Sequence, residues 1–498
     1  MKERLSTSVM KGVTWFGASQ ALSQGLNFVS IIVLARLLVP ADFGVVALSA
    51  IVTDLVLVVG DLGFSEAVIQ RKQVTEGHLS AAFFTGLALG ILFCVLTVAI
   101  SPLVADFFHN DLVRPVLAIS SLSFVIAPLR TVHGALLKKR LEFSKFAYTE
   151  MGQSIIYMVT TISLAFTGFG VWSLVIGNLA GQLALVVLRW IVCRWHPSVR
   201  FAIQDARDLW GFGINVTGSS VVKSLIGRLD QLLIGRFITA TAVGYYRWSR
   251  TLTGYPVNAL SMAVGRVALA TFSVVQDEEE RIRRAFAKTV AYLSIITFPL
   301  FTGIAVVAPA FVRVVLGEKW APAILPMQIL CVAGAIECIS ITAAPVLRAK
   351  GRPEIELRIL LIRVALLVPA LLIGVKFGTV GVAIAASFVS FTTWIIIQVF
   401  ANRVIGLGAR DYLSSLVPAF SGSVVLAAVL LAFGYAASLI NLPDIGLLVA
   451  SVILGIVSYF TALKFTGTKV MNEMVELVVD VAKPYAKSMK AAVWSVFE

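Results

Sequence analysis

Apolar segments long enough to cross a bilayer recur from one end of this 498-residue chain to the other. A helix rises about 1.5 Å per residue and the hydrocarbon is about 30 Å thick, so about 20 apolar residues make one crossing, and the chain offers about fourteen such runs. They fall near 12–38, 42–60, 80–104, 113–129, 152–166, 171–192, 212–238, 243–269, 290–316, 323–346, 359–375, 380–400, 415–439 and 445–463, here called spans 1 to 14. Inside lipid each backbone polar group must be satisfied within its own segment, so runs of this length are read as helices. Composition agrees, with 58% hydrophobic residues, 14% charged and a mean hydropathy of +0.92, well outside the range of soluble domains. The expectation is an all-α polytopic membrane protein.

Charge between the spans alternates. The head MKERLSTSVMK and the segments after spans 2, 4, 6, 8, 10 and 12 hold nearly all the Lys and Arg that lie outside spans, whereas VPAD, TGFG, TATA and NLPD hold none. Basic segments stay cytoplasmic, so both termini are expected on that side. The same bias explains the net charge of +14, which therefore calls for no nucleic acid. The polar stretches 71–78, 130–145, 193–208, 274–288 and 348–358 are expected as loops, and 465–498 as a cytoplasmic amphipathic tail. Cys94, Cys193, Cys331 and Cys338 are scattered, without the spacing of a metal site or a disulfide framework. No metal or cofactor is implied. The sequence has no phosphate-binding loop, zinc-protease motif or serine elbow, so it is not expected to be an enzyme.

Two internal echoes organise the chain. Offset by 200 positions, LARLLVPADFGVVALS (34–49) falls on IGRFITATAVGYYRWS (234–249), matching Arg36 with Arg236, Gly44 with Gly244 and Ser49 with Ser249. TGFGVWSLVIGNLA (167–180) similarly resembles FGTVGVAIAASFVS (377–390). The expected organisation is a lobe of six helices over 1–200, a second over 201–410 and a further pair over 411–464, with the lobes as parallel repeats enclosing the substrate site.

Ionisable groups within the spans point to that site. A charge near the bilayer centre costs about 3 kcal/mol or more, so it marks a protein-lined, wet cavity or a partner. Spans 7 and 8 carry Lys223, Arg228, Asp230, Arg236, Arg247 and Arg250, with Ser219, Ser220 and Asn258 at helical spacing beside them. Span 1 offers Gln20, Gln24 and Asn27, and span 6 offers Asn178, Gln182 and Arg189. Asp54, Asp61, Asp230 and Glu337 are candidates for ion coupling or for counter-ions to the cations. Arg36 and Arg236 lie near span ends, where snorkelling to headgroups competes with a role in binding.

QALSQGLNFVSIIVLARLLVPADFGVVAL at spans 1 and 2, AVIQRK after them, FGVWSLV in span 6 and DQLLIGRF with AVGYYRWSRTL in spans 7 and 8 together carry a family resemblance. The chain resembles the polysaccharide transporter family of the MOP exporter superfamily, the Wzx-type flippases, over about its first 400 residues. The resemblance implies a V-shaped transporter in the bacterial inner membrane. It also implies alternating access that moves an undecaprenyl-diphosphate-linked oligosaccharide of exopolysaccharide, capsule or O-antigen from the cytoplasmic to the periplasmic leaflet. Membrane lipids, a glycan polymerase and chain-length machinery are the partners it suggests.

Such cargo needs cations for its phosphates, neutral hydrogen-bonding groups for its sugars and apolar flanks for its chain. Lys223, Arg228, Arg247, Arg250, Arg36 and Arg236 are therefore the candidate phosphate path, and the Gln, Asn and Ser positions above its polar lining. A peptidoglycan-precursor flippase and a multidrug exporter of the same superfamily are the alternatives. A glycan polymerase or glycosyltransferase fits less well, because the outer segments are too short to build a reaction chamber.

Overall fold

In a computed structural model of the protein, residues 22–71, 73–198, 217–218, 220–440 and 442–466 are described, and no strand occurs among them. Gln20, Ser219 and the amphipathic tail lie outside the described residues. The all-α expectation holds. Two compact units divide the chain, Met1–Arg247 with Val315–Lys319 and Trp248–Val314 with Trp320–Glu498.

The first unit contains α1 (Leu22–Leu37), α2 (Pro40–Asp61), α3 (Phe64–Gln70), α4 (Glu76–Phe108), α5 (Val113–Ser120), α6 (Leu122–Lys139), α7 (Phe143–Phe166), α8 (Val171–Val192), α9 (220–226), α10 (Leu229–Phe237) and the start of α11 (Ala240–Val274). The second holds the rest of α11, then α12 (Glu279–Phe311), α13 (Ile324–Ser340), α14 (Ala343–Ala349), α15 (Pro353–Gly374), α16 (Gly378–Ile405), α17 (Ala409–Leu439) and α18 (Asp444–Thr466). Nine helices among the described residues have the length and apolarity of a membrane crossing, and one of these, Pro353–Ile405, folds back on itself as α15 and α16. The fold-back needs Gly374 and Gly381, since a Cβ on either would lie within 2.6 Å of the other's carbonyl oxygen.

Several expected loops are helix instead. The basic stretch 130–145 continues α6 as far as Lys139, α12 begins within 274–288 at Glu279, and α14 and α15 leave only residues 350–352 of the stretch 348–358 outside a helix. The cause lies in local pairing. Glu279 with Arg283 and Glu280 with Arg284 make i,i+4 pairs that keep a polar helix end wound beyond the apolar run. Elsewhere an expected span is broken. Gly227 and Arg228 interrupt span 7 between α9 and α10, and span 9 ends in a π-turn over Val312–Leu316.

Each unit has its own core. In the first, Phe83, Leu136, Leu137 and Phe146 pack around Trp195, whose Nε1 donates to Glu76 Oε2 at 2.7 Å. In the second, Phe272, Phe286, Val346 and Leu347 pack with Tyr412. The last two helices join that unit through α12, where Ile295 meets Ala419, Leu426 and Leu430, and Tyr459 donates its hydroxyl to Ile295 O at 2.8 Å.

The echoed hairpins meet each other within the first unit. A Cβ on Gly44 would stand 1.7 Å from Ala240 O, and one on Gly244 would stand 2.1 Å from Pro40 O. Positions 40 and 240, like 44 and 244, are equivalents in the 200-residue offset, so the contact is reciprocal: α2 and α11 cross at their first turns, backbone on backbone. The two echoed arginines act in the same crossed sense. Arg36 Nε donates to Val315 O at 2.8 Å, at the end of the α12 π-turn, while Arg236 Nη1 donates to Phe107 O at 3.1 Å, at the end of α4. At the opposite end of each repeat a lysine caps carbonyls: Lys139 Nζ donates to Val68 O (2.8 Å) and Arg71 O, and Lys350 Nζ to Gln276 O (2.6 Å).

Candidate functional site

In the first unit, the break at Gly227 and Arg228 turns the Arg228 guanidinium toward α2, where it forms an ion pair with Asp54. Asp230, two residues on, is buried and accepts from the Gln231 backbone N–H at 2.8 Å. Asp54 is thus a carboxylate partner of Arg228, and it sits as a counter-ion. Lys223 on α9 is exposed and Ser220 half-buried. Arg247 on α11 lies within electrostatic reach of Tyr157 on α7. Gln24 and Asn27 on α1 are half-buried, while Asn178 on α8 and Asn258 on α11 are exposed.

Three expected polar groups, Gln182, Arg36 and Arg236, serve packing. Gln182 is buried and its Nε2 donates to Ser123 Oγ at 3.0 Å and to Asn178 Oδ1 at 2.6 Å, knitting α8 to α6. Arg36 and Arg236 donate to the helix-end carbonyls described above, and Arg236 also bonds the His109 ring at 2.8 Å.

Asp61 lines an open cleft among α2, α3, α4 and α6, together with Ser65, Arg130 and Thr131. Next to Arg130, Arg189 of span 6 meets a partner that the sequence reading passed over, Glu150. Arg189, 5% exposed, donates through Nη1 to Arg130 O at 3.0 Å and through Nη2 to Glu150 Oε1 at 2.6 Å, and its guanidinium lies over the Phe146 ring. Glu150, the last charge before the neutral remainder of α7, was the available signal.

The second unit brings four helices to one point. Glu337 of α13 accepts from Arg363 Nη2 of α15 at 3.0 Å and from Ser390 Oγ of α16 at 3.3 Å. Arg250 of α11 is close enough to be attracted by Glu337 and repelled by Arg363. Glu337 thus stands between Arg363 and Ser390, with Arg250 in electrostatic reach. Arg363 escaped the sequence reading, although a lone Arg within LLIRVALL is the intramembrane charge that marks a site.

The profile described as "Polysaccharide biosynthesis protein" matches residues 33–325, more than half of the chain. This chain belongs to that polysaccharide biosynthesis family. Its nine helices of membrane-crossing length and apolarity among the described residues make it a multi-pass membrane protein. The lipopolysaccharide biosynthesis protein WzxC of Escherichia coli (strain K12) is 28% identical over 421 residues, covering 83% of this chain and 85% of that protein. The teichuronic acid biosynthesis protein TuaB of Bacillus subtilis (strain 168) is 28% identical over 353 residues, covering 70% and 73%. Among solved structures, the lipid II flippase MurJ in its inward closed conformation superposes with a TM-score of 0.76 at 16% identity, over 92% of this chain and 99% of that one. An inward-facing multidrug resistance MATE transporter gives 0.61 at 15% identity, over 77% and 94%. Both likenesses establish the MOP-type fold.

Proposed function

We propose that this transporter is a flippase that carries an undecaprenyl-diphosphate-linked oligosaccharide from the cytoplasmic to the periplasmic leaflet by alternating access, with both termini cytoplasmic. The diphosphate is guided by Lys223, Arg228, Arg247 and Arg250, and the sugars by neutral groups such as Gln24, Asn27, Ser220 and Asn258. One observation supports this reading above the others: Arg250 and Arg363 converge on Glu337 within apolar helices, where ionisable groups mark the path of a polar ligand. Asp54 and Glu337 hold guanidiniums in place while cargo is away. Arg36 and Arg236 contribute through the helix ends they tie together.

Export of the glycan tests the reading. In cells whose only flippase is the variant, Lys223→Ala, Arg228→Ala and Arg250→Ala each lose surface polysaccharide while the protein still inserts at normal abundance. Full export by all three removes the cationic path. Cells depleted of their peptidoglycan-precursor flippase and rescued by this chain would instead favour the alternative cargo.

A further inference from the structure

The Glu337 cluster in the second unit has three properties that do not fit a purely structural ion pair. Its bond to Arg363 is single rather than bidentate, made by Nη2 to Oε1 alone, whereas a permanent Arg–carboxylate lock favours the two-bond fork. The side chains are 39% and 40% exposed, so both are within reach of a ligand. The Nε of Arg363 is buried with no acceptor among the described residues, a donor still available beside the one in use. Ser390 donates to the same carboxylate oxygen as Arg363, and Arg250 adds a second positive group nearby.

We propose that Glu337 is a place-holder for phosphate: a diphosphate oxygen of the lipid-linked cargo displaces its carboxylate from Arg363 and takes up the Arg250–Arg363 pair, and the carboxylate's return drives release. This rests on the flippase reading above and adds to it a residue, Arg363, and a means of letting go. A carrier site made of two free guanidiniums would hold a diphosphate too firmly to turn over. A tethered anion competing for the same donors lowers that affinity without removing the specificity that the guanidiniums provide. Ser390 parks the displaced carboxylate, keeping it near enough to return.

Binding to the full chain in nanodiscs tests the exchange, with farnesyl diphosphate as lipid probe and inorganic pyrophosphate as free-phosphate probe. Glu337→Gln keeps the shape and removes the competitor, so both probes bind about five- to tenfold tighter, the size expected for losing one charge-assisted bond at a half-exposed position. Export by the same variant slows, because release has lost its driving group. Arg363→Ala weakens binding, and Glu337→Gln then tightens it by clearly less than in the unaltered background, since only Arg250 is left to compete for. A gain in affinity cannot arise from a damaged fold, which keeps the expected result distinct from misfolding. Unchanged or weaker binding by Glu337→Gln overturns the exchange, as does tightening that is undiminished with Arg363→Ala. Tightening for pyrophosphate without any binding of farnesyl diphosphate also overturns it, since the cargo is then not a lipid. If the unaltered chain binds neither probe, the cationic-path reading falls as well.

Discussion

Adding one methyl group at the hairpin crossing should have a large and oddly shared effect. A Cβ on Gly44 would stand 1.7 Å from Ala240 O and one on Gly244 2.1 Å from Pro40 O, where ordinary contact begins at 3.4 Å. Gly44→Ala therefore forces a separation of about 1.7 Å and Gly244→Ala about 1.3 Å. The obstacle in each case is a helix backbone, which cannot swing aside as a side chain would. Overpacking of this kind costs about 1–3 kcal/mol. Because both glycines serve one crossing, parting the helices for the first methyl also makes room for the second. The double variant should lose clearly less than the two single losses added together, the non-additivity expected of residues that share a contact. Titration of the purified protein with SDS, read by helical circular dichroism, gives the three midpoints. Single variants as stable as the unaltered chain would show that the helices are not in contact. Fully additive losses would show that the two glycines act at separate places.

Other perturbations test the interiors of the units. Glu150→Ala should destabilise the first unit by about 3 kcal/mol and more than Arg189→Met, because the former strands a buried guanidinium and the latter leaves a carboxylate that water can reach; equal midpoints in SDS titration would count against this. Tyr459→Phe removes the hydroxyl donated to Ile295 O and should cost about 1 kcal/mol, loosening α17 and α18 from α12. Hydrogen exchange confined to those two helices should rise, and uniform exchange would refute the assignment.

Much of the fold could be read from the chain because lipid imposes one period and one length on every crossing. The helical ends could not. Hydropathy falls wherever Glu279, Arg283 and Arg284 occur, yet those residues pair along a helix and lengthen it. Candidate charges stood out where several crowd one stretch, as in 219–250, and were missed where a single charge sits in a long apolar run, as with Arg363, or just before one, as with Glu150. The partners were beyond reach. Asp54 lies 174 residues from Arg228, and no spacing rule joins them. The echo of 34–49 in 234–249 was visible, but repetition in a sequence does not say that the copies touch.

Lys139 and Lys350 carry a consequence for how such a chain is made. While each helix is being threaded into the bilayer, an ammonium near its end is solvated and biases which way the segment is laid down. Once the repeat has closed, the same ammonium is committed to backbone oxygens of a neighbouring segment. One side chain thus acts twice, first as a topological signal and later as a clamp. Replacing it with a neutral donor such as glutamine would separate those two moments in the protein's life.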